Sequence, residues 1–185
     1  MRIIAGSARG RKLIAPAGEK TRPTSDKLRG ALFNILAARV AGAHVLDLFG
    51  GTGALALEAI SRGAAHAVIV DVDRRAIAGI RQNAKTVLGE DFASRIEIIQ
   101  SDFKRAIDGF HGRAFDMVFL DPPYAMDGAY QMAIERLDAR GAIHEDSIFV
   151  CEREKGVAPI VARGFSIYDA RVYGDSAVDI LRRER

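Results

Sequence analysis

The segment best suited to chemistry in this 185-residue sequence is Asp121-Pro122-Pro123-Tyr124, which directly follows an apolar run. Proline lacks a backbone N–H, so the loop offers acceptors, namely the Asp121 carboxylate and the Pro122 carbonyl. Two convergent acceptors suit an exocyclic amino group, and they stabilise the positive charge that grows on nitrogen during alkylation. Tyr124 can stack on a planar base. The motif predicts methyl transfer to a planar amine; the alternative is a rigid turn with a packed tyrosine.

A glycine turn lies upstream, in the stretch from Asp47 to Gly53. Gly51 and Gly53 let the backbone pass close to a ligand just before a predicted helix. The spacing Gly51-x-Gly53-x-x-Ala56 also fits the dinucleotide fingerprint. However, a carboxylate at Asp47 would repel a pyrophosphate. It suits a cationic ligand such as S-adenosylmethionine (SAM), which carries an ammonium group and a sulfonium.

Two further strand ends carry acidic side chains. Asp71 follows the glycines by about 20 residues, the spacing at which a carboxylate accepts both ribose hydroxyls. The alternative for Asp71 is a turn residue, a role that Asp73 could also take. Asp102 could accept from an adenine amino group, with Phe103 beside the ring, or it could cap the helix that follows.

Apolar strand-like runs alternate with helical patterns from residue 45 onward. This alternation predicts an α/β fold in which helices cover both faces of a mainly parallel sheet. Gly174-Asp175 between the last two runs predicts a hairpin, so the sheet should end in an antiparallel pair. The predicted strands are 45–49, 67–71, 96–99, 115–120, 147–151, 165–173 and 177–181, and the predicted helices are 54–62, 74–88, 103–109 and 128–140.

The N-terminal region is predicted to form two short strands, 2–5 and 12–15, around a turn at 7–10. A helix capped by Thr24 or Ser25 should then run to Ala38. Residues 1–30 carry eight Lys or Arg and two acids, whereas the whole chain has a net charge of +3. A basic arm over residues 1–22, attached to a domain over residues 23–185, suggests a polyanionic partner. The alternative is a solvated terminus.

Composition narrows the class of protein. A hydrophobic content of 49% allows a core of useful size, and no apolar run is long enough to span a bilayer. The one cysteine, Cys151, lies in an apolar strand and should be core. We therefore expect a soluble, cytoplasmic protein in a reducing compartment. The four histidines are widely spread and show no metal-ligand spacing, so no metal is expected.

Taken together, the motif at 47–53 and the motif at 121–124 resemble those of class I SAM-dependent amino-group methyltransferases, which share a Rossmann-like fold. Further segments resemble the RsmD family, bacterial methyltransferases of guanine N2 in 16S ribosomal RNA. The resemblance runs from Arg2 to about Leu181, including the small N-terminal hairpin. The segments that carry it are 22–29 (RPTSDKLR), 31–36 (ALFNIL), 58–64 (EAISRGA) and 172–174 (VYG).

This resemblance implies SAM as cofactor and ribosomal RNA, within a small subunit or an assembly intermediate, as the partner of a monomer. It implies cofactor contacts at Gly51, Gly53, Asp71 and Asp102, to which the residue types add Asp47 and Phe103. Target contacts are implied at Asp121, Pro122 and Tyr124, and Arg22 and Thr24 are placed near the cofactor and the active site. RNA contacts at Arg9, Arg11 and Lys12, together with Arg22, are expected from the clustering of basic residues; the alternative for the first three is exposed turn charges. Alternatives remain: an adenine N6 or a protein glutamine as target, an NAD-binding oxidoreductase, or a non-catalytic RNA-binding module.

Overall fold

Seven strands form one sheet in the order β3-β2-β1-β4-β5-β7-β6. This computed structural model describes residues 1–15, 26–123, 126 and 128–184. The strands are β1 (His44–Asp47), β2 (His66–Asp71), β3 (Ile96–Gln100), β4 (Phe115–Leu120), β5 (Ile143–Glu154), β6 (Phe165–Tyr173) and β7 (Ser176–Arg183). The helices are α1 (Asp26–Ile35), α2 (Ala37–Val40), α3 (Ala54–Ser61), α4 (Arg74–Leu88), α5 (Phe103–Asp108) and α6 (Ala129–Ala139), with a 3-10 turn at Glu90–Ser94.

Strands β1 to β5 are parallel, whereas β7 runs antiparallel to both β5 and β6. The β6–β7 hairpin closes with Tyr173 opposite Ser176, and Gly174 has a φ of 62°. A two-residue loop of this kind favours glycine because its backbone requires positive φ. The predicted mainly parallel sheet with a terminal antiparallel pair is confirmed.

Two apolar layers hold the helices against the sheet. The first core lies between one face of the sheet and α1, α3, α4 and the N-terminal segment, and includes Val45, Phe119 and Val150. The second core lies between the other face and α5 and α6, and includes Leu120 and Cys151. Cys151 is fully buried, as predicted. In the described part of the chain, no helix has both the length and the apolar character needed to cross a membrane.

The structure differs from the expected elements at several places, the first two being the first helix and β1. The first helix ends at Ile35, and a short second helix begins at Ala37. The expected caps of the first helix, Thr24 and Ser25, lie outside the described residues. Strand β1 ends at Asp47, two residues early, because the main chain turns there into the glycine loop.

Strand β5 is longer than predicted and contains an irregularity. Its pairing with β4 shifts between Phe115 and Met117. The Ser147 hydroxyl donates to the Phe115 carbonyl at 2.7 Å and accepts from the His144 N–H at 2.8 Å. This side chain therefore replaces a backbone partner, which the sequence pattern did not indicate.

The N-terminal segment, residues 1–15, folds onto α3 and α4. Its two halves pair as expected, with backbone hydrogen bonds from Ile3 N to Arg11 O at 3.0 Å and from Leu13 N to Met1 O at 3.1 Å. The pairing is short, with one antiparallel bridge between Arg2 and Lys12 in place of two regular strands. Ile3 is fully buried and Leu13 is nearly so, because both join the first core. Apolar burial on one side and polar contacts to α3 thus hold this segment in place without a regular ladder.

Candidate active site at the carboxyl edge of the sheet

The acidic strand ends meet along one edge of the sheet. Asp71, Asp47 and Asp121 come from the carboxyl ends of β2, β1 and β4, which are neighbours in the sheet. Asp102 follows β3, the next strand along. Ligands of open α/β sheets bind in the crevice at this edge. The acidic side chains predicted from the sequence are therefore brought together here.

The glycine loop is tightly fixed by backbone hydrogen bonds. Gly50 N donates to Val70 O at 2.8 Å, and Gly53 N donates to Gly50 O at 2.6 Å. Gly51 and Gly53 have φ of 53° and 75°, a region that favours glycine. A Cβ on Gly51 would meet no atom within 4 Å, so this side of the turn is open to a ligand.

Gly50 has a steric role. A Cβ at this position would lie 2.5 Å from Ile69 Cγ2 and 3.0 Å from Ile80 Cδ1, closer than atoms in contact allow. Glycine therefore lets the loop pack directly on β2 and α4.

Asp71 fixes the glycine loop to the end of β2. One carboxylate oxygen accepts from Gly51 N at 2.8 Å, and the other accepts from Asp73 N at 2.8 Å. Asp73 itself caps α4 by accepting from Arg75 N at 2.7 Å. The turn role considered for Asp71 is thus present, and its partly buried carboxylate also lies beside the open glycine.

Asp47 is a buried carboxylate under the loop, with 2% of its surface exposed. Burial raises its pKa to about 7, and the charge of Asp71 adds to the rise. Backbone hydrogen bonds with Phe49 and Ala56 act in the opposite direction. The carboxyl group thus lies at the start of α3, in the place that a phosphate bound at this helix N-terminus would take.

Asp121 is the second carboxylate with a perturbed pKa. Burial, then the charges of Glu152 and Asp47, raise its pKa to about 8. Pro122 is buried and Pro123 is exposed, so the chain turns outward after Asp121. A carboxylate with a strongly raised pKa in a ligand-binding crevice is a typical feature of a functional site. Tyr124 lies outside the described residues.

Asp102 and Phe103 lie beside a pocket of about 290 Å³. Asp102 caps α5 by accepting from Arg105 N at 3.1 Å, so the capping alternative is confirmed as a structural role. Phe103 packs against Phe49, with ring centroids 5.3 Å apart. Apolar side chains form most of the remaining wall, which is made by Lys104, Met126, Ala129 and Met132.

Asn83 is a site residue that sequence reasoning missed. Its side chain is buried in α4, donates to the carbonyls of Ile14 and Thr52 at 2.9 Å each, and accepts from Ile14 N at 2.9 Å. It therefore joins the N-terminal segment to the glycine loop. The sequence feature that could have indicated this role is a polar amide side chain on the apolar face of the amphipathic helix α4.

The predicted RNA-contacting side chains lie on the outer side of the N-terminal segment. Arg9, Arg11 and Lys12 are all exposed. Arg11 also donates to the Thr86 carbonyl near the end of α4. Arg22 lies outside the described residues, as does Thr24, the predicted cofactor contact. Among the described residues no cluster suits a metal ion.

Comparison with known proteins agrees with this arrangement. A family model described as "Conserved hypothetical protein 95" matches residues 1–182. The ribosomal RNA small subunit methyltransferase D of Escherichia coli is 34% identical over 185 residues, covering 100% of this chain and 90% of that protein. The chain belongs to this family. The protein of the same name from Haemophilus influenzae is 32% identical over 176 residues, covering 94% of this chain and 89% of that protein.

Solved structures show the same fold over the whole chain. The Escherichia coli protein yhhF has a TM-score of 0.85 at 32% identity, covering 100% of this chain and 98% of that one. The Thermus thermophilus protein TTHA0928 has a TM-score of 0.79 at 29% identity, with 97% and 98% covered. The resemblance to the RsmD family is confirmed, and this family member is a SAM-dependent methyltransferase. The oxidoreductase and non-catalytic alternatives are therefore wrong.

Proposed function

We propose that this RsmD family member transfers a methyl group from SAM to the N2 amine of a guanine in small-subunit ribosomal RNA. The names of the two relatives, ribosomal RNA small subunit methyltransferase D, support the substrate class. The observation that carries the reaction type is the position of Asp121 and Pro122 at the same sheet edge as the open glycine loop. We also propose a cytoplasmic location, because that is where ribosomal RNA would be met, and, separately, action as a monomer.

The residues of the edge fit the parts of the cofactor. SAM supplies an electrophilic methyl group on a sulfonium. Gly51 and Gly53 give the backbone close access to it, and Asp47 places negative charge near its cationic groups. Asp71 lies where a ribose is bound in this fold class. Asp102 and Phe103 line a pocket with the apolar walls that an adenine ring requires, and Thr24 would complete the set.

Asp121 and the Pro122 carbonyl would hold the target amine. The lone pair of an exocyclic amine is delocalised into its base, which makes the amine a poor nucleophile. Two accepted hydrogen bonds favour a pyramidal nitrogen and localise that lone pair. They also stabilise the positive charge that grows on nitrogen as the bond to methyl forms. Tyr124 would stack on the base, which must leave its own stack to reach Asp121.

The raised pKa values predict a pH dependence. Asp121 stabilises the growing positive charge best when it is ionised; its pKa is about 8, and that of neighbouring Asp47 is about 7. The pH dependence of kcat/KM reports the pKa values of the free enzyme, so we expect kcat/KM to rise about tenfold or more between pH 6 and pH 8. Bound SAM is cationic and lowers both pKa values. The increase of kcat with pH should therefore occur at a lower pH than the increase of kcat/KM. The two carboxylates interact, and the measured values will belong to the pair.

Initial rates between pH 5.5 and pH 9, measured with SAM and RNA varied in turn, check this expectation. The Asp47→Asn variant should move the rise in kcat/KM to lower pH, because it removes a negative neighbour of Asp121. A flat profile over this range would show that no carboxylate of the site must be ionised.

Basic side chains of the N-terminal segment would hold the RNA backbone. Replacing Arg9 and Lys12 by alanine should weaken RNA binding and reduce the slope of log affinity against log salt by about 0.7–0.9 per lost phosphate contact. Arg39 and Arg163 are exposed at the other edge of the sheet, where β5 and β6 begin, and form the matched control pair. Equal effects of the two pairs in filter-binding titrations would reject a specific role for this segment.

Methyl transfer from labelled SAM to different acceptors tests the proposed substrate. Small-subunit particles and naked RNA should come from a strain that lacks this protein, so that the target is unmethylated. We expect label in one or both of these acceptors, and none in DNA or in ribosomal protein. Label in DNA or in protein instead would show that the methyl acceptor is an adenine or a glutamine, and the RNA proposal would fail.

A further inference from the structure

We propose that Glu152 accepts a hydrogen bond from the ring N1–H of the target guanine and thereby selects guanine over other bases that carry an amine. This inference rests on the proposed function. It concerns a residue of β5 that lies outside the glycine loop and outside the segment 121–124. Glu152 would be a specificity residue, in contact with the base beside the reacting nitrogen.

Glu152 lies next to Asp121 across the boundary of two strands. Leu120, the last residue of β4, pairs with Cys151 of β5, so Asp121 lies beside Glu152 of β5 at the same level. Such neighbours are about 4.8 Å apart between strands. The Glu152 charge is close enough to add to burial in raising the pKa of Asp121.

The two carboxylates also share a face of the sheet. Phe119 and Val150, each two residues earlier on its strand, both belong to the first core. Since side chains alternate along a strand, Asp121 and Glu152 point to that same side. Glu152 is half-buried, and the hydroxyl of Tyr130 donates to its backbone carbonyl. This bond fixes the main chain where the side chain begins.

Guanine is the amine-bearing target that matches two adjacent carboxylates. Its Watson–Crick edge presents the N1–H donor beside the N2 amine. Adenine and cytosine instead present an unprotonated ring nitrogen, an acceptor, beside their amines, and a glutamine side chain has no donor beyond its amide. An acceptor next to Asp121 is therefore satisfied by guanine, and it repels the ring nitrogens of the other two bases.

A single base substitution at the target position tests this inference. The nucleotide methylated by the wild-type protein is first mapped, and RNA is then ligated with either guanine or 2,6-diaminopurine at that position. The analogue retains the N2 amine but carries an unprotonated N1. We expect the wild-type protein to prefer guanine by about 10- to 100-fold in kcat/KM, because Glu152 would face an acceptor in the analogue.

The Glu152→Gln variant should reduce that preference at least tenfold, since an amide can donate to the unprotonated N1. Glu154→Gln is the matched control: it changes the same group at an exposed position of the same strand and should keep the wild-type ratio. The readout is the ratio of kcat/KM for the two RNAs, measured with the same variant. A smaller fraction of folded protein lowers both values equally and leaves the ratio unchanged.

Three outcomes would overturn the inference. A wild-type protein that uses both RNAs equally does not read N1. A Glu152→Gln variant that keeps the wild-type ratio, or that loses both activities to the same extent, assigns the reading of N1 to another group. If the wild-type protein methylates no guanine N2 at all, the proposed function fails first and this inference fails with it.

Discussion

Replacing Asp121 by alanine is expected to lower kcat for methyl transfer by about 10²–10³-fold, while the affinity for SAM stays near that of the wild-type protein. The expected size is that found when one preorganised partner of a developing charge is removed. Asp121 would contact the target amine, whereas the cofactor would be bound by the glycine loop and by Asp71, which are hydrogen-bonded to each other. The change should therefore affect the chemical step more than cofactor binding.

Single-turnover rates and equilibrium binding of SAM separate these effects. Asp121→Asn retains an acceptor but removes the charge. Its single-turnover rate should therefore lie between those of the Asp121→Ala variant and the wild-type protein. Asp146→Ala removes an exposed carboxylate near the start of β5, at the opposite edge, and should leave the rate unchanged. An Asp121→Ala protein with wild-type turnover would show that Asp121 does not assist the reaction.

Replacing Glu58 by alanine is expected to lower the free energy of unfolding by about 3–5 kcal/mol. Glu58 of α3 is fully buried and accepts from Ile4 N at 2.7 Å and from Ala5 N at 3.0 Å. It also pairs with Arg62 at 2.7 Å and lies 3.8 Å from Nε of the fully buried Arg29. Its loss would leave a buried guanidinium and two backbone donors without this carboxylate.

Urea unfolding followed by circular dichroism measures the effect. For a chain of this size the loss corresponds to a fall in Tm of roughly 6–20 °C. The control is Glu90→Ala, because Glu90 is 83% exposed and pairs with Lys85 at 2.9 Å. Exposed ion pairs contribute little, so that variant should unfold close to the wild-type midpoint. Equal midpoints for the two variants would show that Glu58 does not hold the N-terminal segment.

The parts of this structure that follow local rules could be predicted from the sequence. Apolar runs of five or six residues separated by amphipathic stretches indicated a parallel α/β sheet, and α4 was predicted with its observed ends, Arg74–Leu88. The carboxyl ends of parallel strands share one edge, so the meeting of Asp47, Asp71 and Asp121 followed from the fold class.

The parts that depend on contacts between distant residues could not be predicted in this way. Asn83 bonds with Ile14 across 69 positions, and Glu58 bonds with Ile4 across 54. No local period marks such partners. The N-terminal segment pairs with itself, as expected, through Ile3 N to Arg11 O and Leu13 N to Met1 O, but its position on the domain depends on these contacts to α3 and α4. Ser147 similarly replaces a ladder bond in β5 through its side chain.

The chemical identity of the methylated nucleoside decides whether Asp121 promotes methyl transfer to guanine N2. Small-subunit particles and RNA labelled by the purified protein with SAM are digested to nucleosides and separated with mass-spectrometric detection. We predict N2-methylguanosine as the labelled product, at a single position, formed about 10²–10³-fold more slowly by the Asp121→Ala variant. A product methylated on adenine or cytosine, or N2-methylguanosine formed at wild-type rate without Asp121, would contradict this prediction.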